Sequence, residues 1–311
     1  MVKVDQRDFT FEHSLEATEL FLEVYENDLS LNYFTGPKFR YGQAGVKLIN
    51  ESVDSAVERA DKLVEMGHLY RKLLYSFSRL FHLAFTSPQC AIYFAYLKKD
   101  GHSQIEISET QPLIAVPHPS QRQLVGVAGL SYPKYTPPVS QTIWQKLYRF
   151  WLIAKYLTID FFTFLGMEHP IRNKRMRGHG KAMKEAFDQL NPKTVDQLAA
   201  MPPSEIADAV YAPEAVPWLQ PMYIAPSLQG KGIGTRLLGT VFGQFQEGSQ
   251  VTFVSSDGKH KSTGPLKIVL DSSMEGLGLY KKFGFKPLSV YNPDLENPDI
   301  EFYVTRLMRV W

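Results

Sequence analysis

The chain has a single cysteine, Cys90, in 311 residues, which excludes an internal disulfide framework and fits a reduced compartment. It also has almost no net charge, +2 at pH 7, so no overall field draws it to nucleic acid and any basic partner site has to be local. No apolar run reaches the roughly 18 residues that a bilayer-spanning helix requires, and the N-terminal Met1-Val-Lys-Val-Asp-Gln-Arg-Asp8 lacks the apolar stretch of a signal peptide. Repeats and low-complexity tracts are missing. The histidines are neither spaced nor clustered with Cys or acids as metal ligands, and no Ser-His-Asp arrangement can be argued. These absences lead us to expect a globular, cytoplasmic or nuclear protein with no metal, no nucleic-acid partner and no integral membrane span. Its 44% hydrophobic content suffices for a large core.

What the chain does have is concentrated at Trp218-Leu-Gln-Pro-Met-Tyr-Ile-Ala-Pro-Ser-Leu-Gln-Gly-Lys-Gly-Ile-Gly-Thr-Arg-Leu-Leu238, which reads as a strand, a glycine-rich turn and a helix. Unpaired N–H groups at a helix start, backed by the positive end of the helix dipole, attract phosphate. Glycines let that backbone come close to a ligand. The spacing separates the phosphate-binding families. Lys231 after Gly230 is followed by Gly232 where a Walker loop needs Ser or Thr. The Rossmann fingerprint also fails, because Gly234 comes one residue early and no acidic residue stands near Gln250.

The remaining pattern, Gln229-x-x-Gly232-x-Gly234, resembles the acyl-CoA pyrophosphate loop of the GNAT superfamily of acetyltransferases. A second segment extends the resemblance. Leu266-Lys-Ile-Val-Leu270 reads as a buried strand, and Asp271 to Phe285 looks like the next helix of the family with its Leu-Tyr-x-x-x-Gly-Phe ending. The compound match covers roughly residues 213 to 290, and the chain looks like a fungal member. The fold it implies is α/β, a mixed and splayed central sheet flanked by helices, with acetyl-CoA as cofactor.

The resemblance also implies roles. The backbone from Gln229 through Gly230, Lys231, Gly232, Ile233 and Gly234 to Thr235 would hold the pyrophosphate, and Ile224 would pair with the pantetheine as an added strand does. Met222 N–H would polarise the acetyl carbonyl, with Pro221 marking the point where the ladder opens. Tyr280 occupies the position of the family's general acid; a phenol with an ordinary pKa of about 10 stays protonated at pH 7. Ser273 replaces the family's frequent Asn and Gly276 its frequent Ala, which bears on a hydrogen bond supporting the cofactor. For a general base the usual strand position offers only Gln220, and Glu214, Glu168 and His169 are the other candidates.

Elsewhere, helical spacing runs through Leu20, Phe21, Val24 and Tyr25, and through Val53 to Phe77 with a break expected at Gly67. Strands are expected at Cys90–Leu97, Pro112–Val116 and Leu124–Leu130, the last two joined by the loop Pro117–Arg122, and again at Phe285–Val290 and Glu301–Arg309. Leu237, Leu238, Val241, Phe242 and Phe245 give one apolar helix face, beside which Gly239 and Gly243 should permit close packing. We read a single domain over 1–311 with a helical insertion at 134–212, where the family usually has a short connection. Its aromatic stretch has three readings: packing onto the core, a wall of the acceptor pocket built from Trp144, Trp151 and Phe161, or a membrane-surface helix. The basic run Arg172–Lys184 reads as a solvated face, as help for the CoA phosphates, as a nuclear address or as a nucleic-acid contact.

The expected function is acetyl-CoA-dependent N-acetylation of a primary amine on a small molecule, by direct attack without a covalent enzyme intermediate. A protein lysine or N-terminal acetyltransferase and a non-catalytic acyl-CoA-binding module are the alternatives.

Overall fold

Runs rich in Val, Ile, Phe and Tyr fit a pleated surface buried on both sides, and in the computed structural model they form the sheet that organises the molecule. The structure describes residues 2–4, 9–26, 46–47, 49–50, 55–98, 122–133, 142–165, 169, 174–292 and 303–311. Strand β1 (Val2–Val4) pairs antiparallel with β2 (Cys90–Lys98), and β2 pairs antiparallel with β3 (Arg122–Ser131) from Cys90↔Ser131 to Lys98↔Arg122. The expected strand Pro112–Val116, and all but the last residue of the loop after it, lie outside the described residues. Strand β4 (Trp218–Ile224) follows β3 antiparallel, then comes β7 (Lys267–Ser272), parallel to β4, then β9 (Val304–Val310) and β8 (Lys286–Tyr291). The seven-stranded order is β1-β2-β3-β4-β7-β9-β8, a mixed sheet, and β5 (Gln250–Val254) with β6 (Lys261–Pro265) forms a separate hairpin.

Helices α1 (Phe11–Val24) and α2 (Ala56–Phe85) cover one face. Phe21 packs on Phe77, Phe81 and Tyr223, and the Tyr223 hydroxyl donates to the Ala17 carbonyl at 2.7 Å. Neighbouring residues of a strand point to opposite faces, so Ile224 looks the other way. There it meets α7 (Ile233–Phe242), whose Ile233, Leu237, Leu238, Val241 and Phe242 are buried. The break expected at Gly67 is absent, because α2 runs through it without interruption. An exposed glycine costs a helix only about 1 kcal/mol relative to alanine, too little to split an element whose C-terminal half is anchored in the core. The packing expected at Gly239 is also corrected. A Cβ placed there would meet nothing within 4 Å, while Gly243 caps the helix after Phe242 and leaves Phe245 beyond its end.

Among the described residues four α-helices lie between β3 and β4: α3 (Ile143–Thr163), α4 (Lys174–Asp188), α5 (Val195–Ala200) and α6 (Pro203–Ile206). Thr142 starts α3 and Thr194 starts α5, each accepting from the backbone N–H three residues on while Gln145 and Gln197 reach back to the cap. Phe187, Leu198, Ile206 and Tyr211 build a second core with Trp218, Phe253 and Val269. Two buried cations tie this segment to the sheet. Arg306 pairs with Asp271 through Nε and Nη2 at 2.9 and 3.0 Å, donates to the Met183 carbonyl at 3.3 Å, and stacks on Phe187, Trp218 and Tyr291. Lys267 donates to the carbonyls of Ala209, Ala207 and Ile206 at 2.6, 2.8 and 3.4 Å. Burial draws its ammonium down to about 8, against the pull of Asp208, but three carbonyl acceptors favour the charged form. Among the described residues no helix is long and apolar enough to cross a membrane.

Candidate functional site

Strands β4 and β7 share one register pair, Trp218↔Val269, fixed by the Val269 N–H donating to the Pro217 carbonyl at 3.0 Å. Beyond it the two parallel strands part, and among the described residues the rest of β4 has no strand partner on that side. The register with β3 shifts between Ala128 and Leu130, and the Gln220–Pro221 peptide, where the opening begins, is cis. Ala225 donates to Val125 across the β3–β4 ladder at 2.9 Å. Because exchanging pairs alternate in an antiparallel ladder, Tyr223 bonds to Val127, while the backbone groups of Met222 and Ile224 point away from β3 into the opening. The Ile224 carbonyl accepts from the Gln229 side chain at 3.2 Å, which holds the following loop over the strand end.

That loop is built from a 3-10 turn at Pro226–Leu228 and a glycine turn that enters α7. Gly230 and Gly232 have φ of 74° and 80°, the left-handed region where a side chain is strained. A Cβ on Gly232 would meet nothing within 4 Å, so the space in front of the loop is open. Two of the seven N–H groups expected to face a phosphate are already used: Gln229 donates to the Pro226 carbonyl at 3.3 Å and Lys231 to that of Leu228 at 3.4 Å. The first intrahelical donor is Arg236, to Gly232. Gly230, Gly232, Ile233, Gly234 and Thr235 therefore present their N–H groups at the positive end of α7. The side chains of Lys231 and Arg236 are exposed beside them.

Gly234 is where the expected residues converge. A Cβ there would stand 3.1 Å from Leu279 Cδ2, 3.6 Å from Met222 Cε and 3.8 Å from Ile224 Cγ1, so the helix start, the open strand and α8 (Leu277–Lys282) meet at one point. Tyr280, next to Leu279, is 7% exposed and packs edge-on against Phe285. Burial, and secondarily the Tyr25 phenol, push its hydroxyl well above the ordinary range. Only six residues of the expected 271–285 stretch are helical. Ahead of them Ser273 accepts from the Gly276 N–H at 3.4 Å, so it shapes the turn.

Other expected residues lie apart. Trp144, Trp151 and Phe161 are 77%, 53% and 62% exposed on α3, which turns Leu152, Tyr156 and Asp160 inward instead. His169 is engaged under α3, its Nε2 3.7 Å from Asp160 and its ring against Phe164 at 4.6 Å. Glu214 is half-buried in the turn before β4, Gln220 is exposed on β4, and Glu168 lies outside the described residues, as do Arg172 and Asn173 of the basic run. The sequence reading missed Asp271, which ends the Ile-Val-Leu-Asp run of β7 just past the last β4–β7 pair and accepts from Arg306 and from the Tyr291 hydroxyl at 2.9 Å. An acid closing a buried strand was the available signal.

Comparison with known proteins bears on this geometry. Residues 199–287, which hold β4, the glycine loop, α7, β7 and α8, match the family model of the acetyltransferase (GNAT) domain. Among solved structures the chain is similar to a mosquito arylalkylamine N-acetyltransferase like 5b, at 12% identity and a TM-score of 0.24 over 62% of this chain and 70% of that one. No curated protein sequence matches. The opened parallel strand pair and the helix start rich in unused N–H groups thus lie inside the segment, residues 199–287, that matches the acetyltransferase (GNAT) domain.

Proposed function

We propose that the protein transfers an acetyl group from acetyl-CoA to a primary amine of a small molecule, by direct attack. The observation that carries this reading is the convergence at Gly234 of unused helix N–H groups, an unpartnered strand edge and the Tyr280 helix. These features suit the cofactor. The open left-handed turn and the amides of Gly230, Gly232, Ile233, Gly234 and Thr235 would take its diphosphate, with Lys231 and Arg236 adding charge. The outward backbone of Met222 and Ile224 would pair with its pantetheine arm, and the turn at Ser273 would border it. Bound there, acetyl-CoA supplies an activated acyl thioester.

The chain's own groups would then act on charge. The Met222 N–H would donate to an acyl oxygen as that oxygen turns anionic; one preorganised donor typically lowers such a barrier by about 3 kcal/mol. Tyr280, kept protonated by burial, would give its proton to the departing sulfur. An alkylamine with a pKa of about 10.4 has to lose a proton to solvent water before it attacks as the neutral amine, which Gln220 can hydrogen-bond. The single free cysteine is buried, consistent with the reducing conditions of a cytoplasmic or nuclear protein. Two measurements test the reading. Calorimetry should show acetyl-CoA binding that Gly232→Val weakens at least tenfold in a folded variant. An amine panel assayed for free thiol release should give turnover; binding without turnover on any amine or peptide would leave a binding module instead.

A further inference from the structure

The described helix that stands furthest from the expectation of a buried apolar face is α3. Its inward stripe is polar in part: Asp160 pairs with Arg79, and the Tyr156 hydroxyl bonds to His82 Nδ1 at 2.8 Å. Its outward face carries Trp144, Leu147, Tyr148, Trp151, Phe161 and Phe162, all between 52% and 77% exposed. At about 100° per residue these six fall within roughly 140° of one another, on the side away from Leu152, Tyr156 and Asp160. At about 100 Å² each they present on the order of 600 Å² of apolar surface, at the top of what a soluble monomer shows in its largest patch.

The charge on this helix selects the occupant. Its only acid is Asp160, which is buried, whereas Lys146 and Lys155 are exposed. Lys155 rises within the aromatic arc itself, its Nζ 5.0 Å from the Trp151 ring. A lysine is disfavoured in the centre of a protein–protein interface. In a two-fold pairing of copies over this face, it would approach its own equivalent. At a bilayer, by contrast, its stem lies along the apolar layer while the ammonium reaches a phosphate or carboxylate headgroup. Large rings beside basic residues, on a helix too polar to cross, are the composition of helices that lie in the membrane interface.

We propose that the outward face of α3 docks the protein onto an anionic phospholipid surface, with the aromatic residues seated among the upper acyl chains. This surface is separate from the β4–α7 opening and independent of the acyl-transfer reading.

The full-length protein should co-sediment with vesicles of phosphatidylcholine and phosphatidylserine, bind pure phosphatidylcholine more weakly, and lose the difference in high salt. Two of the four tryptophans, Trp144 and Trp151, lie on this face, while Trp218 and Trp311 are buried at 8% and 7% exposure. A blue shift of emission on adding vesicles therefore reports burial of the face. Trp144→Glu with Trp151→Glu should weaken vesicle binding about 100-fold, about tenfold for each ring lost, with an unchanged melting temperature. Lys146→Glu with Lys155→Glu should remove the preference for the anionic vesicles. Absence of co-sedimentation by the parent, or vesicle binding that survives the double tryptophan variant, would overturn the proposal. So would sedimentation velocity showing a dimer that this variant converts to monomer, which would assign the face to a second copy of the chain.

Discussion

Helices α7 and α3 are both amphipathic, yet they are set into the molecule in opposite senses. In α7 every large aliphatic residue faces the sheet, the polar residues face water, and the helix start is exposed with its backbone donors unused. In α3 the inward stripe holds an ion pair and a histidine–tyrosine hydrogen bond, and the outward face holds tryptophans and phenylalanines. The contrast teaches that a periodic apolar stripe reports that a face exists but not what covers it. What decides is the partner: α7 lies over a sheet with Gly126 and Ile224 beneath it, while α3 lies over α2, whose facing residues are Arg79 and His82.

Four measurements sharpen this comparison. The largest effect is expected under α3, where Arg79→Ala strands a carboxylate that is about as buried as the arginine, and such losses cost 3–5 kcal/mol in general; denaturant unfolding of the variant should show a midpoint far below the parent's. Beneath α7, Leu237→Ala removes a side chain with 0% exposure and should cost about 3 kcal/mol. A loss under 1 kcal/mol would mean that α7 is packed no better than the outer face of α3. At the mouth, Tyr280→Phe should lower kcat about 100-fold, or roughly 2.7 kcal/mol, with little change in acetyl-CoA affinity. Unchanged kcat under conditions where chemistry limits the parent would make Tyr280 a packing residue. The smallest effect belongs to the outward rings, where Trp144→Ala should move stability by no more than about 0.5 kcal/mol and leave the acceptor KM unaltered.

A pH series gives a fifth check on the α3 side. Burial by itself would raise the Asp160 carboxyl, but hydrogen bonds from His169 and Arg79 outweigh it and hold the carboxyl below the usual carboxylate range. A depressed native value stabilises the fold above the unfolded value of about 3.9, and that stabilisation disappears as pH falls through the native one. The stability difference between the parent and Asp160→Asn should thus be flat from neutral pH down to about 4 and shrink below it. A difference that grew on acidification would reverse the sign assigned to Asp160.

Much of the site was legible because it is encoded locally. Gly230 and Gly232 occupy left-handed positions that few other residues tolerate, and the helix after them begins where its apolar period begins. The strands β2, β3, β8 and β9 were also readable to within a few residues, since their side-chain period and composition are properties of the segment itself. The expected break at Gly67 failed because tertiary anchoring of α2 outweighs one glycine. The Asp271–Arg306–Tyr291 cluster was invisible because its members lie on three strands and meet only through register.

The sequence by itself determined the short-range features: a left-handed glycine turn entering a helix at Gln229–Thr235, a tyrosine helix after a buried strand, and the type of most elements. These follow from φ preferences and side-chain periods over a few residues, which no distant contact has to supply. Tertiary structure decided where β4 and β7 part, just after Trp218, an opening that only the family resemblance had suggested, and that α3 wears its aromatics outward. Those outcomes depend on which surfaces compete for burial, and that competition is settled only between segments far apart in the chain.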